Sequence, residues 1–75
     1  MGNPVDVHLG AKLKELRLGQ GMTQTDLASQ VHLSFQQIQK YESGENRMSG
    51  SKLYLLASIF GVQVQYFFAG LPGQE

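Results

Sequence analysis

Leu9, Leu13 and Leu16 recur at i, i+4 and i+7, with Lys12, Lys14 and Glu15 on the opposite face. That spacing predicts an amphipathic helix from about Asp6 to Leu18, ended by Gly19-Gln20-Gly21. Thr23 is a good N-cap for a second helix, with Asp26 at the third helical position where a carboxylate meets free backbone amides. Its inward residues are Leu27, Ala28 and Val31. Ser34-x-x-Gln37 has capping-box form and opens a third helix, which turns Ile38 and Tyr41 inward and stops at Gly44. Ser49 or Ser51 caps a fourth, with Leu53, Leu56, Ala57 and Phe60 at helical spacing and Gly61 past its end. A short fifth, about Gln63 to Phe68, adds Tyr66 and Phe67 before Gly70. The nearest approach to strand alternation, Val62-Gln63-Val64-Gln65-Tyr66, is short. Both prolines, Pro4 and Pro72, stand at the ends, so no obligate helix breaker interrupts the pattern. The reading is an all-α chain of one domain over residues 5–71, with residues 1–4 and 72–75 as flexible termini.

Composition narrows the functions available. The chain has 75 residues, 41% of them hydrophobic, enough for one small core and too many for a disordered tail. It has no cysteine, which removes disulfides and thiolate metal sites, and only two histidines, His8 and His32. These fall on separate segments with no evident nucleophile or carboxylate geometry. Gly19-Gln20-Gly21 lacks the third glycine of a dinucleotide fingerprint and follows a helix instead of a strand. No catalytic residue, metal site or cofactor is therefore expected. No apolar run is long enough to span a membrane, and Met1-Gly2-Asn3-Pro4 lacks the charged lead-in of a signal peptide, so a cytoplasmic location is expected.

The second and third helices, with a turn of about three residues between them, form a helix-turn-helix candidate over residues 23–42. Ala28 stands where the two helices cross most closely. Leu33 and Ile38 can bury together against Leu27 and Val31. The turn needs a residue able to take a positive φ, and His32 occupies that place; histidine is enriched there, though glycine adopts it more easily.

Thr23-Gln24-x-Asp26-Leu27-Ala28 and Leu33-Ser34-x-x-x-Ile38-x-x-Tyr41-Glu42-x-Gly44 resemble the helix-turn-helix of the Cro and phage-repressor type, also called XRE-type. The likeness extends back to Leu9-Gly10-x-x-Leu13-x-x-Leu16-Arg17 and forward to Leu53-x-x-Leu56-Ala57 and Phe67. It implies a compact five-helix, lambda-repressor-like domain that binds double-stranded DNA through the major groove. It further implies a weak homodimer on a two-fold operator, acting in a bacterial or phage transcriptional regulator, most simply a repressor.

The resemblance also assigns roles by position. Phe35, Gln36 and Lys40 match the base-facing positions of the recognition helix. Gln24 matches a glutamine that bonds a phosphate from the start of the second helix, and Arg47 a backbone contact in the loop after the third. Gln39 lies to the solvent side and can also reach the duplex. Arg17 and Glu42 match a structural salt bridge. The chemistry suits these places: glutamine pairs bidentately with adenine, lysine favours guanine or phosphate, and Phe35 has only apolar contact to offer.

Other readings stand beside these. The glutamines are also good solvated helix residues, and Phe35 also suits the core or a partner contact. His8 reads as an exposed helix residue. The Tyr66-Phe67-Phe68 run reads as core with one ring left outside, which beside Leu71 would suit a dimer surface. Six basic and six acidic residues cancel overall, so only local charge can favour a phosphate backbone. If Arg17 neutralises Glu42, Lys40 and Arg47 outweigh Glu45. The rival function is a protein-interaction module on the same fold, without direct DNA reading.

Overall fold

The structure is a computed structural model that describes residues 3–71. Five helices follow in order: α1 (Pro4–Gly19), α2 (Gln24–Val31), α3 (Phe35–Ser43), α4 (Gly50–Phe60) and α5 (Gln65–Phe68). No strand occurs among the described residues. Of the termini expected to be flexible, residues 1–2 and 72–75 lie outside the described residues.

α1 begins two residues before the predicted Asp6. The Asn3 side chain caps it by accepting the Val5 N–H at 2.7 Å, and Pro4 fills the first helical position, where its missing N–H costs nothing. Residues 3 and 4 are thus the start of the helix, not a tail. α2 carries a complete capping box. Thr23 Oγ1 accepts the Asp26 N–H and Asp26 Oδ2 accepts the Thr23 N–H, each at 2.9 Å. The Thr23 backbone N–H, helped by the Thr23 hydroxyl, stabilises the ionised Asp26 and holds its carboxyl below the usual range. α3 has only half of the expected box. Ser34 Oγ accepts the Gln37 N–H, but the Gln37 amide turns away to donate to Asn46 Oδ1 at 3.1 Å. Ser49, not Ser51, caps α4 by accepting from Lys52 N. α5 is shorter than predicted, since Gln63 lies before it.

The core is built from every helix: Leu9 and Leu13 of α1, Leu27, Ala28 and Val31 of α2, Ile38 and Tyr41 of α3, Leu53, Leu56 and Ala57 of α4, and Phe67 of α5. Met48, from the loop before α4, joins them. Leu16, Leu33 and Phe60 pack at its edge instead of inside it. α1 lies mainly against α3, α2 also packs against α3, and α5 packs against α1. The α1–α3 approach is close because Gly10 has no side chain. A Cβ there would run into the Tyr41 and Glu42 carbonyl oxygens, the latter at 2.6 Å.

Left-handed backbone closes α2, α3 and α4, and at two of these ends it bears on the helix-turn-helix. His32 closes α2 at φ 57°, ψ 40°, the conformation expected of it. Gly44 ends α3 at φ 82° with Val7 of α1 packed where a Cβ would stand, so both the dihedral and the space call for glycine.

The aromatic run near the end departs from the expectation of a core with one ring left outside, since Phe67 alone is buried and Tyr66 and Phe68 are each half-buried. Phe67 is fully buried and meets Tyr66 edge-on, with centroids 6.0 Å apart. Tyr66 is half-buried under the Lys12 ammonium, 4.9 Å from the ring centroid, and desolvation with a Glu15 hydrogen bond raises its phenol pKa. His8 is not the free surface residue expected. It is half-buried, and its Nε2 lies 2.8 Å from the Ala69 carbonyl oxygen, clipping α1 to the segment after α5.

Candidate nucleic-acid interface

α3 is held from behind by one buried ion pair. Arg17 Nε and Nη2 donate to Glu42 Oε2 and Oε1 at 2.6 and 3.0 Å, the two-pronged geometry in which guanidinium and carboxylate fit best. The side chains are only 8% and 4% exposed, so the pair is shielded from solvent. The hydrogen bond to Glu42 raises the already high pKa of Arg17. Arg17 Nη1 also donates to the Met22 carbonyl at 2.8 Å, tying the α1–α2 turn into the same cluster. The expected structural bridge is present.

Gln24 belongs to this cluster too. Its Nε2 donates to Glu42 Oε1 at 3.1 Å, from a half-buried position at the start of α2. The amide expected to face a phosphate is thus bonded inward, with one N–H left over. Glu42 therefore joins three helices through a single carboxylate.

With Ile38, Tyr41 and Glu42 turned inward, the opposite side of α3 is left to solvent. Gln36, Gln39, Lys40 and Ser43 recur at i, i+3, i+4 and i+7 and are all exposed, so they share one face. Among the described residues the side chains of Gln36, Gln39 and Lys40 make no hydrogen bond to the protein, whereas Gln37 is occupied by Asn46. Phe35, in the first turn, is 42% exposed, which rules out the core role and leaves a surface contact. Three of the predicted residues thus stand free on the helix, with Phe35 beside its start.

Arg47 departs from expectation. It reaches back 41 positions to α1, where its Nε lies 3.2 and 3.3 Å from the two Asp6 carboxylate oxygens. Asp6 is 11% exposed as a side chain and Arg47 71%. The local charge count changes accordingly: Lys40 and Arg47 are balanced by Glu45 and Asp6, so the expected positive excess is absent once this pairing is included. Asp6 had no signal in the sequence as a partner for residue 47, because nothing periodic links the start of α1 to the α3–α4 loop.

The described residues contain no cluster of acidic and histidine groups able to hold a metal ion, and no helix long and apolar enough to cross a membrane.

Comparison with known proteins places this geometry in a family. A family model described as helix-turn-helix matches residues 13–67, which contain α2, the turn and α3 whole. An HTH-type transcriptional regulator of Sinorhizobium medicae, itself uncharacterised, is 42% identical over 71 residues, covering 95% of this chain and 51% of that protein. A transcriptional regulator in the ATPase CF(0) region of Rhodospirillum rubrum is 45% identical over 67 residues, covering 89% of this chain and 62% of that protein. The chain thus spans about half to two thirds of the length of these relatives. The solved DNA-binding domain of BldD from S. venezulae superposes with a TM-score of 0.78 at 27% identity, over 87% of this chain and 97% of that one. The chain belongs to the helix-turn-helix family of Cro and phage-repressor type.

Proposed function

We propose that this chain is the sequence-specific DNA-binding domain of a bacterial or phage transcriptional regulator, acting without a cofactor. One observation carries the reading: α3 is fixed from behind by the buried Arg17–Glu42 pair while Gln36, Gln39 and Lys40 stand unengaged on its outer face. A rigid helix with unspent amide and ammonium groups is what reading base edges in a major groove requires. In this reading Gln36 pairs with an adenine edge, Lys40 with guanine or phosphate, and Phe35 with a thymine methyl or a sugar. Gln39 is an auxiliary contact. The leftover amide hydrogen of Gln24 and the outer edge of Arg47 hold the phosphate backbone.

The near-neutral face implies modest affinity for one copy, so two copies on a two-fold site are needed for tight binding. The exposed Tyr54 and Leu55 of α4, with the half-buried Phe68 and Leu71, support a weak self-association surface. In this reading the regulator acts as a repressor, by occupying a promoter.

The test is selection of bound sequences from a random duplex pool, followed by titration of the selected site over a range of salt. DNA reading predicts an enriched, two-fold-related sequence and an association constant that falls linearly on a log–log plot with salt. No enrichment, or binding to a protein partner that is indifferent to salt, would favour the interaction-module reading.

A further inference from the structure

The Asp6–Arg47 pair is a carboxylate set against a cation on the side of the fold where phosphate binding is proposed. By charge alone it should be a liability there. Its geometry argues otherwise. Both contacts use Arg47 Nε, one of five N–H donors on a rigid planar fork. Fixing Nε fixes the plane of the guanidinium, and the other four donors make no hydrogen bond among the described residues. The partners differ sharply in exposure, 11% for Asp6 against 71% for Arg47. Asp6 is thus an anchored acceptor in the first turn of α1, and Arg47 projects past it into solvent. The anchor is stiff: Val7, the next residue, packs against Gly44 at the end of α3.

We propose that Asp6 is a positioning residue for DNA binding: it holds the Arg47 guanidinium by Nε so that its outer edge is presented to a phosphate. This rests on the DNA-binding reading above. A loop arginine left free would lose rotamer freedom on binding, whereas one already held by its inner nitrogen loses less.

A sign reversal tests it. Binding of a fluorescein-labelled random-sequence duplex is followed by anisotropy at fixed salt for the parent, Asp6→Ala, Arg47→Ala and the double variant. Asp6→Ala removes a negative charge, yet with Arg47 present it should weaken binding by roughly threefold or more, an appreciable part of one phosphate contact. In the Arg47→Ala background the same change should leave binding unchanged or strengthen it, since only repulsion is then removed. Asp6→Asn, which keeps a carbonyl acceptor for Nε without the charge, should bind at least as well as the parent. Asp6→Leu, which likewise offers no acceptor, replaces Asp6→Ala if the latter does not melt cooperatively. Tighter binding by Asp6→Ala with Arg47 present would overturn the proposal, as would equal weakening in both backgrounds. A parent that binds the duplex in no salt-dependent manner would instead overturn the DNA-binding reading, and this inference with it.

Discussion

Glu42→Ala should be the most damaging single substitution in this fold. It strands the Arg17 guanidinium at a site where the side chain is 8% exposed, with only the Met22 carbonyl left as partner, and releases Gln24 from α3. Breaking a buried pair by removing one member costs about 3–5 kcal/mol, because an uncompensated charge remains. A domain of 75 residues is stable by roughly 4–11 kcal/mol in total. The variant should therefore melt at least about 12 °C below the parent, or be largely unfolded at room temperature. Arg17→Ala should fall in the same range, though Gln24 still satisfies one Glu42 oxygen there. The joint replacement Arg17→Met/Glu42→Leu should lose less than either single alanine variant, because no buried charge is left behind. Thermal melts followed by circular dichroism, with urea titrations for free energies, measure all three against the parent. A Glu42→Ala protein melting within a degree or two of the parent would refute the reasoning, and a joint variant worse than both singles would show that the damage is lost packing and not stranded charge.

Other outcomes follow from local geometry. Gly10→Ala should destabilise by about 2 kcal/mol or more despite alanine's better helix propensity, since the new Cβ meets backbone oxygens of α3 that cannot yield; urea denaturation reads this directly. His32→Gly should be neutral or stabilising by up to about 1 kcal/mol, because it relieves a left-handed residue, whereas His32→Val should destabilise by more than that; paired melts decide. The lowered pKa of Asp26 means its folded carboxyl stays ionised at a pH where the unfolded one is protonated. Its stabilising effect is therefore present above the ordinary carboxylate range and lost as pH falls through the folded value, so Asp26→Asn should differ from the parent in melting temperature at neutral pH and converge with it in acid.

What the sequence made legible was whatever is local. Thr23, Ser34 and Ser49 cap helices within three residues of themselves, and His32, Gly44 and Gly61 close them with left-handed backbone. The helical spacing that marked Leu13, Leu27, Ile38 and Leu56 also marked their burial. The Arg17–Glu42 bridge spans 25 positions, and it was legible only because the motif around it resembles a known one. Long-range pairs without such support were not: Asp6 with Arg47, His8 with the Ala69 carbonyl, and Gln24 with Glu42 join segments that no period relates. Met48 was missed for a related reason, since a loop residue has no face whose periodicity could mark it as core. These omissions fall partly on the candidate interface, where Asp6 alters the local charge and Glu42 occupies the Gln24 amide.

The central claim is that the outer face of α3 reads bases while the loop after it only holds the backbone. A fluorescence-anisotropy titration of Gln36→Ala, on the site selected from a random pool and on random duplex, tests it most directly. Gln36→Ala should cost about 1–3 kcal/mol on the selected site and much less on random DNA, narrowing the ratio between them. Arg47→Ala, measured alongside, should weaken both nearly equally and flatten the salt slope by about one phosphate contact per copy. If Gln36→Ala loses as much on random duplex as on the selected site, Gln36 is not a base reader and α3 does not lie in the groove as proposed.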